Sequence, residues 1–472
     1  MPLAELLRLS KLLVIPLLLG ITACASNTQP LPEQGQLVPK LPEQFSISGE
    51  GELPLQWWQN FDDTQLNQWV ELGLQSNNSL AASIARLDAD RAVITQSHSK
   101  RFPDLQLSGN VAGRRIEGEQ LYTSRIGLDS SWELDLWGRL SSLEDRSRWD
   151  YFGGEATTKL RANLVAGNIS QTWYSWVSEF EKDRLLTEQY DRVERALLVI
   201  RKRFSLGNDS ATDIWQQERL LESIHTQQLR TRRDLELNRQ RLANWVGVSV
   251  DRIPASPNGT LPQLQALPDT GLVVNALIER PDIQRAYASL RSADASLATA
   301  VADRLPRITL RASADSVRAG SSELFDAWIT EIAAGLVMPI FDAGQRRAVV
   351  DQREALRSAA LSDYRQSWFD AIMEVEDALT RNKYQVEVVE SIETQLQLAR
   401  KTEGVSRLSY LVGSEDYLRL LRSQETTLFL ERQYVDAQLL LVELRIALYR
   451  SLSHGEFITP GKDTDIVSRR SM

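Results

Sequence analysis

The only cysteine of the 472-residue chain, Cys24, stands where a thiol could be acylated. Arg8 and Lys11 precede an apolar run, Leu12–Ile21, that is too short to span a bilayer as a stable helix. Small residues join this run to Cys24, which completes the pattern of a bacterial lipobox. The alternative is an ordinary secretory signal with an incidental cysteine. Because the single thiol occupies the one position where lipidation needs it, the sequence predicts a signal peptide at 1–23 and a covalent lipid on Cys24.

The remaining polar residues form no constellation that would support catalysis. The three histidines, His98, His225 and His454, are isolated and lack the spacing of metal ligands. No glycine-rich loop ends in Lys-Ser or Lys-Thr, so no phosphate-binding loop is indicated. The net charge of −9 disfavours nucleic acid as a partner. The sequence therefore predicts a protein that is not an enzyme, binds no metal and has no cofactor beyond the lipid on Cys24.

A long stretch without proline is the element around which the rest of the chain is organised. From Gly138 to Gly207 there are 207 − 138 = 69 residues, and apolar residues recur among them at helical spacing. This length corresponds to about 100 Å of helix at about 1.5 Å per residue. The turn Leu206–Ser210 separates this run from a second periodic run that ends near Trp245. The pattern predicts a long helical hairpin over 138–247.

The same pattern occurs a second time in the chain. Gly344 to Gly413 again spans 413 − 344 = 69 residues without proline, and Pro306 follows Pro103 at an offset of 203. Independent anchors that agree in this way indicate an internal duplication of roughly 200 residues. The second repeat therefore predicts a second helical hairpin over 343–452. Equal arm lengths suit helices that must span the same fixed distance.

Each repeat also contains a pair of segments with alternating polarity. Apolar and polar residues alternate over 104–136, on both sides of a polar loop at 114–124, and again over 307–339. Two strands of about ten residues in each hairpin suit either a soluble β-hairpin or a transmembrane β-barrel. Alternation alone favours the soluble hairpin, because the barrel signal of each strand is weak. In addition, four strands cannot close a membrane barrel unless several chains contribute strands.

Apart from the signal peptide, the segments outside the two repeats are polar or rich in proline. In chain order, the predicted organisation is a signal peptide, a lipid-anchored tether, the first repeat, a proline-rich linker, the second repeat and a polar tail. These segments occupy 1–23, 24–56, 57–247, 248–268, 269–453 and 454–472.

Short motifs in both repeats resemble those of one family. The motifs are Trp57-Trp58 with Phe61-Asp62, Arg280-Pro281-Asp282-Ile283, and the run 336–342 that precedes Gly344. Together with the lipobox and the duplication, they resemble the TolC-like outer-membrane efflux proteins, in the lipoprotein branch that serves resistance-nodulation-division (RND) pumps. The resemblance covers nearly all of the chain that follows the signal peptide.

The resemblance implies a fold that is mostly α with a small β part. A homotrimer would combine four strands from each protomer into one twelve-stranded barrel in the outer membrane. The duplicated helical hairpins would form a trimeric α-barrel tunnel across the periplasm. Ala25 after Cys24 favours sorting to the outer membrane, by resemblance to bacterial lipoproteins. The implied partners are outer-membrane lipid, a periplasmic adaptor (a membrane fusion protein) and an inner-membrane RND pump that supplies the transport energy.

The resemblance also implies a gate where the hairpins turn, near Gly207 and Gly413. In the family, an aromatic and acidic set near these turns holds the tunnel closed, and the matching positions here are Tyr410 and Asp213. A hydrogen bond from the Tyr410 hydroxyl to the Asp213 carboxylate is the expected contact. It would contribute about 1.5–3 kcal/mol, because one partner is charged.

Further charged residues surround the second turn. Glu415 and Asp416 are candidates to narrow and charge the entrance, whereas the alternative is that these acids only cap the following helix. Some family members carry acids one and two turns into this arm, where this chain has Arg419 and Arg422. An acidic ring at that depth is therefore not expected, and the two arginines could pair with acids on a neighbouring arm.

A second class of protein also fits the long arms. It is a lipid-anchored periplasmic adaptor or scaffold built on coiled coils, without a pore. The duplicated strand pairs fit this class less well, since such adaptors, by resemblance, carry one helical hairpin between β-rich flanks.

Overall fold

The computed structural model describes residues 31–52, 54–116, 119–319 and 328–453. Cys24, the signal peptide and the polar tail from residue 454 lie outside the described residues. The chain divides into two compact units. The first includes Asp90–Tyr151 and Tyr287–Tyr364, and the second includes Pro39–Ala89, Phe152–Ala286 and the chain from Arg365.

Helices account for most of the described chain, as the predicted fold class requires. They are α1 (Gln34–Leu37), α2 (Thr64–Ser76), α3 (Asn78–Ser99), α4 (Arg139–Ser205), α5 (Ala211–Val246), α6 (Val273–Leu277), α7 (Pro281–Ala302), α8 (Gln345–Leu411) and α9 (Tyr417–Leu452). Two short 3-10 turns, Trp57–Phe61 and Val250–Arg252, complete the helical elements. Within the described ranges, no helix combines the length and the apolar character needed to cross a membrane.

The two long hairpins, α4–α5 and α8–α9, lie where the helical periodicity predicts them. Both first arms contain 67 residues and both second arms contain 36 residues. Helices of this length are not stabilised by intrinsic propensity alone, so their apolar faces must pack against one another. The equal lengths support the internal duplication.

Four antiparallel strands form one sheet in the order β1 (Asp104–Ile116), β2 (Glu119–Leu134), β3 (Arg307–Ala319) and β4 (Ile329–Val337). The polar loop predicted at 114–124 is wrong for most of that range, because β1 and β2 pair as far as Ile116 opposite Glu119. Each added pair extends the backbone hydrogen-bond ladder, and the alternating geometry lets polar side chains occupy one face. The sequence also predicts a loop near 320–322, between the two alternating segments of the second repeat, and this range lies outside the described residues.

The two faces of the sheet differ strongly in chemistry. One face carries exposed apolar side chains, including Leu105, Leu107 and Val111 of β1 and Ile332 of β4, which are 70%, 73%, 73% and 88% exposed. The opposite face is polar, and one of its rows crosses the four strands through Gln106, Asp129, Ser313 and Glu331. A soluble sheet would cover its apolar face with helices. The described chain leaves the apolar face of this sheet uncovered.

The second unit has an aromatic core built by one of the family-like motifs. Trp57 and Trp58 are fully buried, and the Trp57 indole nitrogen donates to the Asn163 side-chain oxygen at 3.1 Å. Trp173 and Trp176 of α4 pack in the same cluster. The tryptophan pair therefore attaches the start of the first repeat to α4 by burying large apolar side chains.

The second motif also has a structural role. Arg280 is 6% exposed, donates to the Asp282 carboxylate at 3.1 and 2.8 Å, and pairs with Glu374 at 2.5 Å. A third contact goes from Arg280 to the Ser451 carbonyl oxygen near the end of α9. A buried guanidinium needs such a complete set of acceptors, because an unpaired buried charge is strongly destabilising. Arg280 thus joins the beginning of α7 to both arms of the second hairpin.

Candidate gate at the helical tips

The two hairpins turn with the same backbone geometry. Gly207 and Gly413 both have a φ of 78°, in the left-handed region that favours glycine. The Asn208 amide donates to the Arg203 carbonyl oxygen at 2.9 Å, and the Ser414 amide donates to the Ser409 carbonyl oxygen at the same distance. These bonds satisfy carbonyl groups at the helix ends, as in a Schellman motif. The predicted tip turns at Gly207 and Gly413 are therefore two copies of one structure.

Side chains in each turn cap the helix that follows. Ser210 and Asp213 form a reciprocal capping box at the start of α5, in which the Asp213 carboxylate accepts from the Ser210 amide at 2.8 Å and the Ser210 hydroxyl at 2.7 Å. At the start of α9, the Asp416 carboxylate accepts from the Arg419 amide at 3.0 Å. Both acids therefore satisfy backbone amides that a helix start would otherwise leave unpaired.

A buried cluster joins the first turn to the end of α8. The Tyr410 hydroxyl donates a hydrogen bond to the Asp209 carboxylate. Tyr410 is 3% exposed, and the Asp209 side chain is 4% exposed. The Arg203 guanidinium lies 3.2 Å from the Asp209 carboxylate and 4.4 Å from the centre of the Tyr410 ring. We call these three residues, Arg203, Asp209 and Tyr410, the tip clasp.

The electrostatics of the tip clasp favour one protonation state. Burial raises the pKa of the Tyr410 hydroxyl, and the hydrogen bond to Asp209 raises it further. Tyr410 therefore remains a donor at any physiological pH, and the buried Asp209 charge is balanced by Arg203. A hydrogen bond to a charged group contributes about 1.5–3 kcal/mol, and the guanidinium over the ring adds a cation–π attraction.

The predicted hydrogen bond from Tyr410 to Asp213 is not present in the structure, so this prediction is wrong. The Tyr410 hydroxyl bonds to Asp209, four residues earlier, while Asp213 uses its carboxylate in the capping box with Ser210. The physical reason is competition, because the third residue of a helix is well placed to cap its own N terminus. The gate roles of Asp213 and Tyr410 stay predictions.

One ion pair joins the second turn to the first turn of α9. Arg419 lies 3.1 Å from the Glu415 carboxylate, four residues earlier in the chain. Pairing of Arg419 and Arg422 with acids on a neighbouring arm stays a prediction. Arg422 is exposed. Asp416 caps α9, which was the alternative to a role in the entrance. The roles of Glu415 and Asp416 in narrowing the entrance stay predictions.

A second buried link lies one turn deeper than the tip clasp. The Tyr417 hydroxyl at the start of α9 donates to the Gln217 side-chain oxygen, and Gln217 in turn donates to the Val193 carbonyl oxygen at 2.9 Å. The Tyr410 and Tyr417 rings meet edge to face with 5.8 Å between their centres. Burial, followed by the nearby Tyr410, raises the pKa of Tyr417. The two tyrosines thus connect the second hairpin to both arms of the first.

Sequence reasoning missed Asp209 and Arg203. Asp209 lies inside the predicted turn, where a polar residue has an adequate explanation as a turn former. Arg203 lies in the last turn of α4, where basic residues are common because they complement the helix dipole. The sequence did contain one signal, the run Asn208-Asp209-Ser210. Ser210 and Asp213 already supply the cap of α5, so Asp209 is left for another contact.

Several apolar side chains near the two turns are exposed. Leu206, Trp215, Leu408 and Val412 are 64%, 66%, 66% and 78% exposed. A groove of about 270 Å³ lies between α4, α8 and the start of α9, and it is lined by Val199, Tyr410 and Leu420 among others. Exposed apolar side chains at helix ends, beside a groove between packed helices, can accept a helical partner.

The described part of the chain contains no group of three or more His, Cys, Asp or Glu residues that could hold a metal ion.

Comparison with known proteins gives a consistent family assignment. The family model described as "Outer membrane efflux protein" matches residues 69–248 and 272–454. The chain is 26% identical over 465 residues to the pyoverdine export outer membrane protein OpmQ of Pseudomonas putida, covering 94% of this chain and 97% of OpmQ. It is 25% identical over 460 residues to the cation efflux system protein CusC of Escherichia coli O157:H7, covering 94% of this chain and 98% of CusC.

A solved structure supports the same assignment. The crystal structure of a membrane protein from Pseudomonas aeruginosa has a TM-score of 0.81 against this chain at 25% identity, covering 91% of this chain and 99% of that protein. Long paired helices with a small two-faced sheet fit this family better than a soluble coiled-coil protein. The chain belongs to the outer membrane efflux protein family. The predicted family, fold class and outer-membrane location are thereby confirmed.

Proposed function

We propose that three copies of this chain form a passive channel through the outer membrane, which completes an efflux system spanning the cell envelope. A periplasmic adaptor and an inner-membrane RND pump deliver the exported molecule and supply the energy. The family membership and the relatives named for export support this proposal.

The observation that carries the proposal is the two-faced sheet. Its order, β1-β2-β3-β4, leaves β1 and β4 without a strand partner on one side within the described chain. Exposed strand edges cannot exist in a lipid bilayer, because every backbone amide and carbonyl there needs a hydrogen-bond partner. Three copies would pair β4 of one with β1 of the next and close twelve strands. The apolar face would then contact lipid, and the polar row would line the lumen.

The tips provide the gate in this proposal. The tip clasp holds the end of α8 against the first turn within each copy, and an adaptor that packs against the exposed apolar tip residues would bias the tips towards the open state. Such a bias is limited to the difference in the adaptor's affinity for the two states. The tip clasp contributes a few kcal/mol, which a helical partner can overcome.

The first test of the proposal is gel mobility of outer-membrane protein with and without heating. We expect an unheated band at the mass of a trimer that collapses to the monomer on boiling, because closed membrane barrels resist detergent. A coiled-coil scaffold would migrate as a monomer in both samples. That result would favour the lipid-anchored adaptor or scaffold instead.

The covalent lipid on Cys24 is the second part of the proposal. We expect Cys24→Ser to abolish incorporation of labelled palmitate, because no other thiol is present in the chain. The trimer band should remain, since the strands themselves hold the membrane. Retained label would disprove the anchor at this position, and loss of the trimer would show that the lipid does more than anchor.

A further inference from the structure

A cavity of about 600 Å³ lies between the linker and the second hairpin. Residues 261–267 of the linker, helix α8 and helix α9 border it, and all three segments belong to the second compact unit. Most of its described lining is apolar. The apolar side chains include Leu264, Leu267, Val386, Val389, Leu441 and Val442. We call this space the linker cavity. Sites of this size and composition bind small molecules when a few polar groups lie among the apolar side chains.

Arg445 of α9 is the only charged residue among the described residues that line the linker cavity. It is 4% exposed. Its guanidinium donates to the Gln265 and Ala266 carbonyl oxygens at 2.7 and 3.4 Å, and to the Asn382 side-chain oxygen at 3.2 Å. These acceptors are all uncharged, and no carboxylate in the described ranges lies within 4.0 Å of the guanidinium nitrogens. Within those ranges, Arg445 is thus a buried cation without a counter-charge.

Arg280, in the same compact unit, shows how the chain compensates another buried arginine. Its exposure of 6% is similar, yet it pairs with both Asp282 and Glu374. Near Arg445, the Tyr449 ring supplies a cation–π attraction, with its centre 5.8 Å from the guanidinium carbon. A ring and neutral acceptors do not replace a negative charge, because removing a cation from water costs several kcal/mol. Arg445 is therefore expected to attract an anion.

The unpaired groups around Arg445 are donors. The Arg445 Nε and the Asn382 amide nitrogen are buried, and neither has a hydrogen-bond partner in the described part of the chain. Asn382 is 1% exposed. Buried donors are normally paired, so a ligand of this site would accept hydrogen bonds. The Nε–H and an Nη–H of one guanidinium are parallel, and they match the two oxygens of a carboxylate.

We propose that the linker cavity binds a small organic acid with an apolar body, of the class of medium-chain monocarboxylates. The carboxylate neutralises Arg445 and accepts from its Nε–H, and the hydrocarbon chain lies against the leucine and valine side chains. An inorganic anion would supply the charge but would leave the apolar part of the cavity unfilled. Because Arg445 also holds the linker through two carbonyl groups, the bound acid ties the linker to α8 and α9. The inference does not depend on the proposed trimer.

The test is calorimetric titration of sodium octanoate into the full-length acylated protein in detergent. We expect one octanoate to bind per chain, and Arg445→Gln to weaken this binding by about 10- to 100-fold, the effect of losing a charge-assisted hydrogen bond. Neutral octanol should bind the unmodified protein more weakly by a similar factor. Partition into detergent micelles is the same for every variant, so differences between variants report the site.

The matched control is Arg239→Gln. Arg239 holds another part of the linker, where it donates to the Val250 and Ile253 carbonyl oxygens at 3.2 and 3.0 Å, but it does not line the linker cavity. We expect this variant to bind octanoate as the unmodified protein does. Reduced binding in Arg239→Gln equal to that in Arg445→Gln would mean that a loosened linker explains both results, and the proposed site would be withdrawn.

A second variant tests the apolar part of the site while Arg445 stays in place. Leu441→Trp fills part of the cavity, and we expect it to weaken octanoate binding at least 10-fold even if Arg445→Gln fails to assemble. Unchanged binding in Leu441→Trp, or in an assembled Arg445→Gln protein, would overturn the proposal. Acetate that bound the unmodified protein as tightly as octanoate would also overturn it, because the site would then take the charge without an apolar body.

Discussion

Asp209→Asn and Tyr410→Phe should each raise the entry of a large antibiotic into cells that lack the adaptor. Either change removes the charged hydrogen bond of the tip clasp, in which Tyr410 donates to the buried Asp209 carboxylate. A loss of about 1.5–3 kcal/mol would shift the tip equilibrium of each copy towards the open state by about 10- to 150-fold. The measurement is the minimum inhibitory concentration of a glycopeptide too large for general porins.

The matched control for this prediction is Asp213→Asn. Asp213 lies in the same turn region, but its carboxylate closes a capping box with Ser210 and makes no bond to Tyr410. We expect the control to change antibiotic entry much less than Asp209→Asn does. If Asp213→Asn raised antibiotic entry as strongly as Asp209→Asn, then Asp213, the acid that the family resemblance implies, would be the gate residue. Unchanged entry in both Asp209→Asn and Tyr410→Phe would show that the tip clasp does not hold the gate.

Ile332→Lys should prevent assembly in the outer membrane. Ile332 is 88% exposed on the apolar face of β4, opposite Ala312 of β3. A lysine near the bilayer midplane costs about 2–4 kcal/mol, and three copies would each carry one. We expect loss of the trimer band in unheated membrane samples and accumulation of unassembled protein in the periplasm.

The neighbouring residue provides the control for the sheet. Ala333 points to the polar face, where it lines a cavity of about 490 Å³ with Arg311 and Glu331. Ala333→Lys places the same charge one residue away, and we expect it to leave trimer assembly intact. Equal effects of Ile332→Lys and Ala333→Lys would mean that the sheet does not contact lipid with one face, and the proposed barrel would be withdrawn.

Much of the fold is predictable from the sequence because its signals are periodic and repeated. The hairpins follow from stretches without proline, from helical spacing and from the glycines at 207 and 413, where the left-handed backbone restricts the residue type. The strand pairs are predictable, but their ends are not. Polar residues between 114 and 124 resemble a loop, although the ladder of backbone hydrogen bonds extends through them on a two-faced sheet.

The candidate gate is predictable only in part. Tyr410 is buried near the second turn, as the family resemblance implies, yet its acidic partner is Asp209 and not Asp213. Sequence distance cannot distinguish the two acids, because either lies within reach of the turn. The choice depends on which carboxylate is already used as a helix cap, and on Arg203 beside the one that remains. Such competition becomes visible only when side chains from three segments are placed together.

The measurement that tests the central claim most directly is single-channel conductance of the purified, acylated protein in a planar bilayer, with its mass determined in detergent. The account predicts a trimeric mass and a channel that is rarely open, whose open time increases in Asp209→Asn. A monomeric mass without conductance would contradict it, and the strands would then belong to a scaffold without a pore. A trimer that is permanently open and indifferent to Asp209→Asn would retain the channel but refute the gate.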